Sequence, residues 1–374
     1  MYKNLLFPAS ILAGTIIGAG IFSLPFIFKE VGLSTSFFYL AIFSLVYLFI
    51  YFLYADLIIR TPGEHRFVGL AKIYLGINGF WAALFIGLIQ LFFVLTIYLV
   101  LAPSFSLLFI NNGYFYHFLV FWLIGSIAIL FNTKRVALLE FLIVGGIIAI
   151  IALIFGFGFN EFLSKGIYWG NIDISKFLVV GPILFSLSGA IAIPEIISYF
   201  RETNTPISFL KKSLFLGAMA PVFIYAGFVI GILGLSKLVT EDAVTGLVAG
   251  LPIWLLALVG ILGFLSLISS YIVIGLNARR ILEYDLSLSS LVSRLLVIFA
   301  PVGLYLAGFQ SFIGLVGFVG SIFLPLESIF IIFMWLKANK KLEMPPILPG
   351  RIVKNSAPFL LLVFIMTLIY AIIK

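Results

Sequence analysis

The sequence predicts an all-α integral membrane protein of eleven spans, and three observations carry that expectation. Of 374 residues, 63% are apolar and only 10% charged, where soluble domains carry roughly a quarter charged residues. The apolar residues come in unbroken runs of about twenty, long enough to cross a hydrocarbon core as helices, rather than in the short alternating segments of a β-barrel. The Lys and Arg residues sort to one side of those runs.

The first run, 8–28, follows Lys3 in the manner of a leader, but no A-x-A-like site precedes Pro25, so it reads as a retained span. Runs at 36–59, 80–110, 116–131 and 136–158 complete a first set of five within 1–158. A second set occupies 176–336, with spans at 178–200, 213–236, 252–277, 291–309 and 312–336. The segment 337–374 then holds a basic loop and an eleventh span, 358–373. With the amino terminus inside, 17 of the 22 Lys and Arg fall on the cytoplasmic side, which puts the carboxyl terminus outside a multi-pass cell-membrane protein. Trp81, Trp254 and Trp335 lie near span ends and are expected as interfacial anchors.

Composition excludes several classes. Zero cysteines removes disulfides and thiol chemistry. The net charge of +8 is dispersed over short inter-span loops, so nucleic acid is not an expected partner, and no obligate protein partner is evident. An intramembrane enzyme would need clustered catalytic groups, yet the two histidines, His65 and His117, stand apart. No G-x-x-x-x-G-K-[ST] phosphate loop supports nucleotide-driven pumping.

The informative feature is a pair of interrupted spans. Span 1 reads Gly14-Thr15-Ile16-Ile17-Gly18-Ala19-Gly20-Ile21-Phe22-Ser23-Leu24-Pro25, and span 6 reads Gly181-Pro182 through Phe185-Ser186-Leu187-Ser188-Gly189 to Pro194. In a helix interior Gly costs about 1 kcal/mol and Pro about 3. Close helix packing would explain either segment alone, but both open a set of five, and matched interruptions point to a secondary transporter's binding site. Backbone unwound at membrane depth must line a polar cavity. Free N–H groups near Ala19 and Gly20 suit a carboxylate, and carbonyls around Phe185, Ser186 and Ser188 suit an ammonium, which together describe the head of an amino acid. A bulky residue at Gly20 is expected to block the carboxylate position in a folded protein.

The first of these segments resembles the first-span motif of the amino acid/polyamine/organocation transporter superfamily. The second, F-S-L-S-G-A-I-A-I-P-E-I, together with eleven spans, resembles the branch of amino acid/auxin permeases and aromatic amino acid permeases. The resemblance implies a five-plus-five inverted repeat of the leucine-transporter type, with broken helices 1 and 6, working by alternating access. It implies that Thr15, Gly18, Ala19, Gly20 and Ile21 hold the substrate carboxylate, and that Phe185, Ser186, Ser188 and Gly189 bind the amino group and begin the side-chain pocket. No acidic partner for a basic side chain is evident, so a neutral amino acid is expected.

Span 8 places Ser266, Ser269 and Ser270 at i, i+3 and i+4 on one helical face. In sodium-coupled members of this fold a similar span faces two carbonyls of span 1, here those of Gly14 and Ile17, so sodium is the expected coupling ion and no other cofactor is implied. Span 5 carries no lysine between Val136 and Gly158, which leaves carboxylates as the route to proton coupling or to gating, Glu195 first. An amino acid exchanger is a further alternative. Asp56 is either a gating group or the partner of Arg60 at i+4, Glu140 sits near a helix end, and Glu327 lies in span 10 with no partner legible. The loops 61–76 and 240–252 follow the second span of each half, and Thr240-Glu241-Asp242 reads as the start of a short gating helix.

Overall fold

A computed structural model describes residues 2–63, 65–110, 113–131, 137–167, 169–203, 205–248, 250–338 and 350–373. Within them every regular element is helical. The first half contains α1 (Phe7–Ile16), a 3-10 turn (Ala19–Ser23), α2 (Leu24–Val31), α3 (Leu33–Arg60), α4 (Phe67–Ser106), α5 (Tyr114–Phe131) and α6 (Ala137–Ser164). The second contains α7 (Val180–Ser186), a 3-10 turn (Ala190–Ala192), α8 (Ile193–Glu202), α9 (Ile207–Leu235), α10 (Ile253–Arg280), α11 (Ser290–Leu306), α12 (Phe312–Phe318) and α13 (Leu324–Ala338), and α14 (Gly350–Ile373) follows.

Among the described residues, eight helices are long and apolar enough to cross a bilayer, or nine with the bent pair α1 and α2 as one span. Two further apolar helices, at 114–130 and 290–306, are shorter. Large apolar side chains such as Phe85, Phe223 and Ile253 stand exposed on their outer surfaces, as lipid contact requires. The chain is a multi-pass membrane protein. Lys134, Arg135, Lys340, Lys341 and the side chain of Glu140 lie outside the described residues.

Several boundaries depart from the sequence expectation. The 61–76 stretch is largely helical: α4 starts at Phe67, and Gly76 interrupts it at φ 79°, ψ −165°, the left-handed side that glycine tolerates. A surface helix therefore turns into the long span at one residue. In 240–252 the helix start at Thr240 is instead a turn, because the Asp242 carboxylate accepts from the Val244 and Thr245 backbone N–H groups and the helical turn begins only at Thr245. α14 begins eight residues before the expected 358, with Arg351 and Lys354 exposed on its opening turns. Trp81 and Trp254 are exposed as anchors should be, whereas Trp335 is buried and its indole N–H donates to Asp56 Oδ2 at 2.6 Å.

Small residues bring the helices into backbone contact. Gly158 of α6 lies against the Gly231 and Gly234 backbones of α9, an approach any Cβ would block. Gly181 of α7 meets Gly317 and Gly320 in the same way, which seats the π-helical turn Val319–Phe323 between α12 and α13 on the first half of span 6.

Candidate functional site

Both interrupted spans break where glycine and proline crowd the sequence. α1 ends at Ile16, Ile17 leaves the helical region at ψ 77°, and Gly18 is extended at φ −120°, ψ −153° before the chain resumes as a 3-10 turn. The axis bends there by 47°. α7 ends at Ser186, and Leu187–Gly189 carry the chain to the next turn at Ala190. Gly18 and Gly189 offer no side-chain cap, so the opening N–H groups of each second half-helix lack a capping side chain.

The two breaks meet. A Cβ on Gly20 would come within 2.6 Å of Ser186 Cα and 2.8 Å of its hydroxyl, and one on Gly189 would come within 2.5 Å of the Ile16 side chain. Tyr225 of α9 sits between them: its hydroxyl lies 2.6 Å from the Ile16 carbonyl and 2.7 Å from that of Ser186, and its single hydrogen serves one of them at a time. Tyr51 of α3 donates to the Leu187 carbonyl. Both tyrosines are fully buried. Sequence reasoning missed both, although a tyrosine in the middle of an otherwise apolar span is itself a signal, since a buried phenol finds a hydrogen-bond partner.

The structure gathers Gly18, Ala19, Gly20, Ile21, Phe185, Ser186 and Gly189 around this junction, with Ala19, Ile21 and Ser186 at 1% exposure or less. Phe22, in the turn after the span 1 break, is buried with its ring edge-on to Phe105 at 4.8 Å and Phe228 at 5.6 Å, and the Tyr98 hydroxyl stands 3.2 Å from the Cβ position of Gly18. Several groups assigned to ligands have internal partners. Thr15 donates to Ile11, Ser186 to Pro182, and Ser188 to Phe185 at 2.9 Å, while the Ser186 carbonyl faces Tyr225. The contact of Gly20 with Ser186 backbone also corrects the expectation for that position: a larger residue there disturbs packing before it reaches any ligand.

From one face a cavity of about 380 Å³ reaches the first turn of α8, directly after the span 6 break. Arg66 crosses it, donating to Glu195 at 2.7 Å and to Asn277 of α10 at 2.9 Å. Both members of the ion pair are about half exposed, 47% and 56%. Glu195 occupies the opening turn of α8, where the helix dipole favours a carboxylate. Arg201 closes the rim by donating to the Gly63 and Ile58 carbonyls.

The remaining sequence candidates lie apart from the junction. Asp56 is 1% exposed, paired with Arg60 at 3.1 Å and held by Trp335, so its place is a helix-to-helix tie rather than the wet helix end expected for it. Ser269 Oγ is buried with no hydrogen-bond partner among the described residues, and Ser266 and Ser270 are half-buried. These serines belong to α10, which packs chiefly on α4, α6 and α5, while Gly14 and Ile17 belong to the α1 region, which packs chiefly on α9. Among the described residues no three His, Cys, Asp or Glu side chains gather to hold a metal.

No family model matches the chain, and no curated sequence does. Among solved structures it is similar to a mutant form of the Eremococcus coleocola manganese transporter, with a TM-score of 0.62 at 14% identity over 100% of this chain and 94% of that one. The same transporter in complex with an aromatic bis-isothiourea substituted compound matches over the same shares of both chains, with a TM-score of 0.59 at 15% identity. A nucleobase-cation-symport-1 family transporter, closed with bromovinylhydantoin bound, matches with a TM-score of 0.62 at 13% identity over 98% and 90% of the two chains. The chain has the fold of these membrane transporters.

Proposed function

We propose that the protein is a secondary transporter that moves a neutral amino acid across the membrane by alternating access. The observation that carries this reading is the contact between two broken helices deep in the bundle, uncapped at Gly18 and Gly189 and joined by Tyr225. Uncapped N–H groups beyond Gly18 suit a carboxylate, and the carbonyl ends of α1 and α7 suit an ammonium once Tyr225 swings to one of them. Neither break, 13–25 nor 181–194, contains Asp, Glu, His, Cys or Met, so an organic zwitterion fits its chemistry better than a transition metal. The reading includes eleven crossings in a five-plus-five inverted repeat, a cytoplasmic amino terminus, and kinship with the amino acid/polyamine/organocation superfamily.

Sodium coupling through Gly14, Ile17, Ser266, Ser269 and Ser270 has one observation in its favour, the partnerless buried hydroxyl of Ser269. Melting of the purified protein across twenty amino acids, each in matched sodium or potassium, tests both parts, because a ligand of the folded state raises the melting temperature. Stabilisation by neutral amino acids is expected. Stabilisation by none contradicts the substrate class, and equal stabilisation in both salts contradicts the sodium site.

A further inference from the structure

Glu327 is a carboxylate without a cation. It lies on α13, which packs on α4, α3, α14 and the 319–323 turn, and among the described residues no Lys, Arg or His comes within ion-pair distance. Among the described residues its one hydrogen bond comes from Gln90 Nε2 of α4 at 3.3 Å. Around it stand two groups whose hydrogen-bonding capacity is unspent: Gln90 Oε1, and the hydroxyl of Tyr47, a residue only 3% exposed. Tyr47, Tyr51 and Tyr54 on one face of α3 are within electrostatic reach of the carboxylate.

The other titratable groups of the neighbouring elements are engaged elsewhere. Asp56 and Arg60 of α3 pair with each other. Arg66, which reaches Tyr54 electrostatically, is held by Glu195 and Asn277. Lys72 of α4 lies over the Phe80 ring, Tyr74 bonds Thr61, Tyr98 faces Gly18, Lys337 of α13 and Arg351 and Lys354 of α14 are exposed, and Tyr370 packs on Phe177. The 319–323 turn has no titratable side chain.

We propose that Glu327 is a reversible proton-binding site that couples proton movement to the span 6 break. The step is the addition of one proton to the carboxylate, giving a neutral acid whose O–H can turn to the unspent Gln90 Oε1 beside it. A carboxylate at membrane depth with a single donor is costly, and neutralising it removes that cost. A cation such as sodium would need several oxygen ligands, and the surroundings offer phenols and one amide instead. Two routes connect the site to the junction. Tyr47 packs against Tyr51 with ring centroids 5.7 Å apart, and Tyr51 donates to the Leu187 carbonyl inside the break. The π-helical turn immediately before α13 rests on Gly181 of α7. The proton site stands on the geometry around Glu327, while its effect on uptake rests on the transporter reading above.

The full-length protein is compared with Glu327→Gln, which keeps the shape and cannot ionise, by two measurements. In the infrared spectrum of purified protein, a carboxylic-acid carbonyl band that titrates within the physiological pH range is expected in the wild type and not in the variant. Absence of that band, or a band that never titrates, overturns the proposal whatever the protein transports. In liposomes, an acid-outside gradient of one pH unit drives about tenfold accumulation at one proton per solute. The variant is expected to lose accumulation while still exchanging labelled for unlabelled amino acid. Wild-type accumulation by the variant overturns the coupling. A titrating band in a protein that transports no amino acid instead refutes the transporter reading and leaves the proton site standing. Gln90→Met, which removes the only donor among the described residues, keeps the test decisive where Glu327→Gln fails to fold: the pH at which the band is half lost moves upward, and an unmoved midpoint counts against the assignment.

Discussion

Tyr225 shows how much of the junction depends on single atoms. Its hydroxyl faces two helix-terminal carbonyls whose own helices have stopped, and the side chain is fully buried. Tyr225→Phe leaves both carbonyls without that donor and is expected to cost about 1–3 kcal/mol, read as a lower melting temperature together with weaker ligand stabilisation. Gly20 and Gly18 make a sharper comparison. Alanine at Gly20 meets Ser186 backbone, which cannot give way, and overpacking of this kind costs about 1–3 kcal/mol. Alanine at Gly18 meets the far end of the Tyr98 side chain at 3.2 Å, with the Thr15 carbonyl at an ordinary 3.9 Å, and is expected to cost less. Equal melting temperatures for the two variants would contradict the contact geometry. The glycines and prolines at the breaks were legible in sequence because their backbone preferences are local. The tyrosines were not, because a hydroxyl that bonds a carbonyl 209 residues earlier leaves no local pattern.

Among the elements, α3 and α13 are joined by a buried polar tie. Asp56 holds Arg60 one turn along α3 and accepts from the Trp335 indole of α13. Removing one member of a buried ion pair strands the other, so Asp56→Ala is expected to destabilise by about 3–5 kcal/mol, measured by thermal unfolding in detergent. Trp335→Phe, which keeps the ring and loses the N–H, is expected to cost less. Sequence placed the Asp56–Arg60 pair through its i+4 spacing but read Trp335 as an interfacial anchor, since proximity to a span end does not say which face a side chain presents. A helix stands at each apolar run, although those at 114–130 and 290–306 are shorter than a full span. Span ends were less legible: α14 extends back across Arg351 and Lys354, whose long side chains are exposed from within a helix, and the stretch read as a loop over 61–76 is helical from Phe67 to the break at Gly76.

At the scale of the whole molecule, the cavity crossed by Arg66 reaches the first turn of α8, while the residues of the junction, Ala19, Ile21 and Ser186, are buried. Arg66 ties the segment before α4 to α8 and α10, elements far apart in the chain that must separate for the cavity to widen. As a half-exposed pair it is worth no more than about 1 kcal/mol of stability, less at high salt. Its weight falls instead on the balance between conformations. The chain has no cysteine, so a single Ser198→Cys substitution in the cavity wall is a clean reporter, and adding Glu195→Gln is expected to raise its labelling rate with little change in melting temperature. An unchanged rate would show that the pair is no latch.

The central claim, that two touching broken helices form an amino acid transport site, is tested most directly by uptake into liposomes containing only this protein. Saturable, stereospecific uptake of neutral amino acids is expected, weakened in Tyr225→Phe. Absence of uptake and of exchange for every amino acid in a broad panel, by protein that remains folded, would contradict the claim.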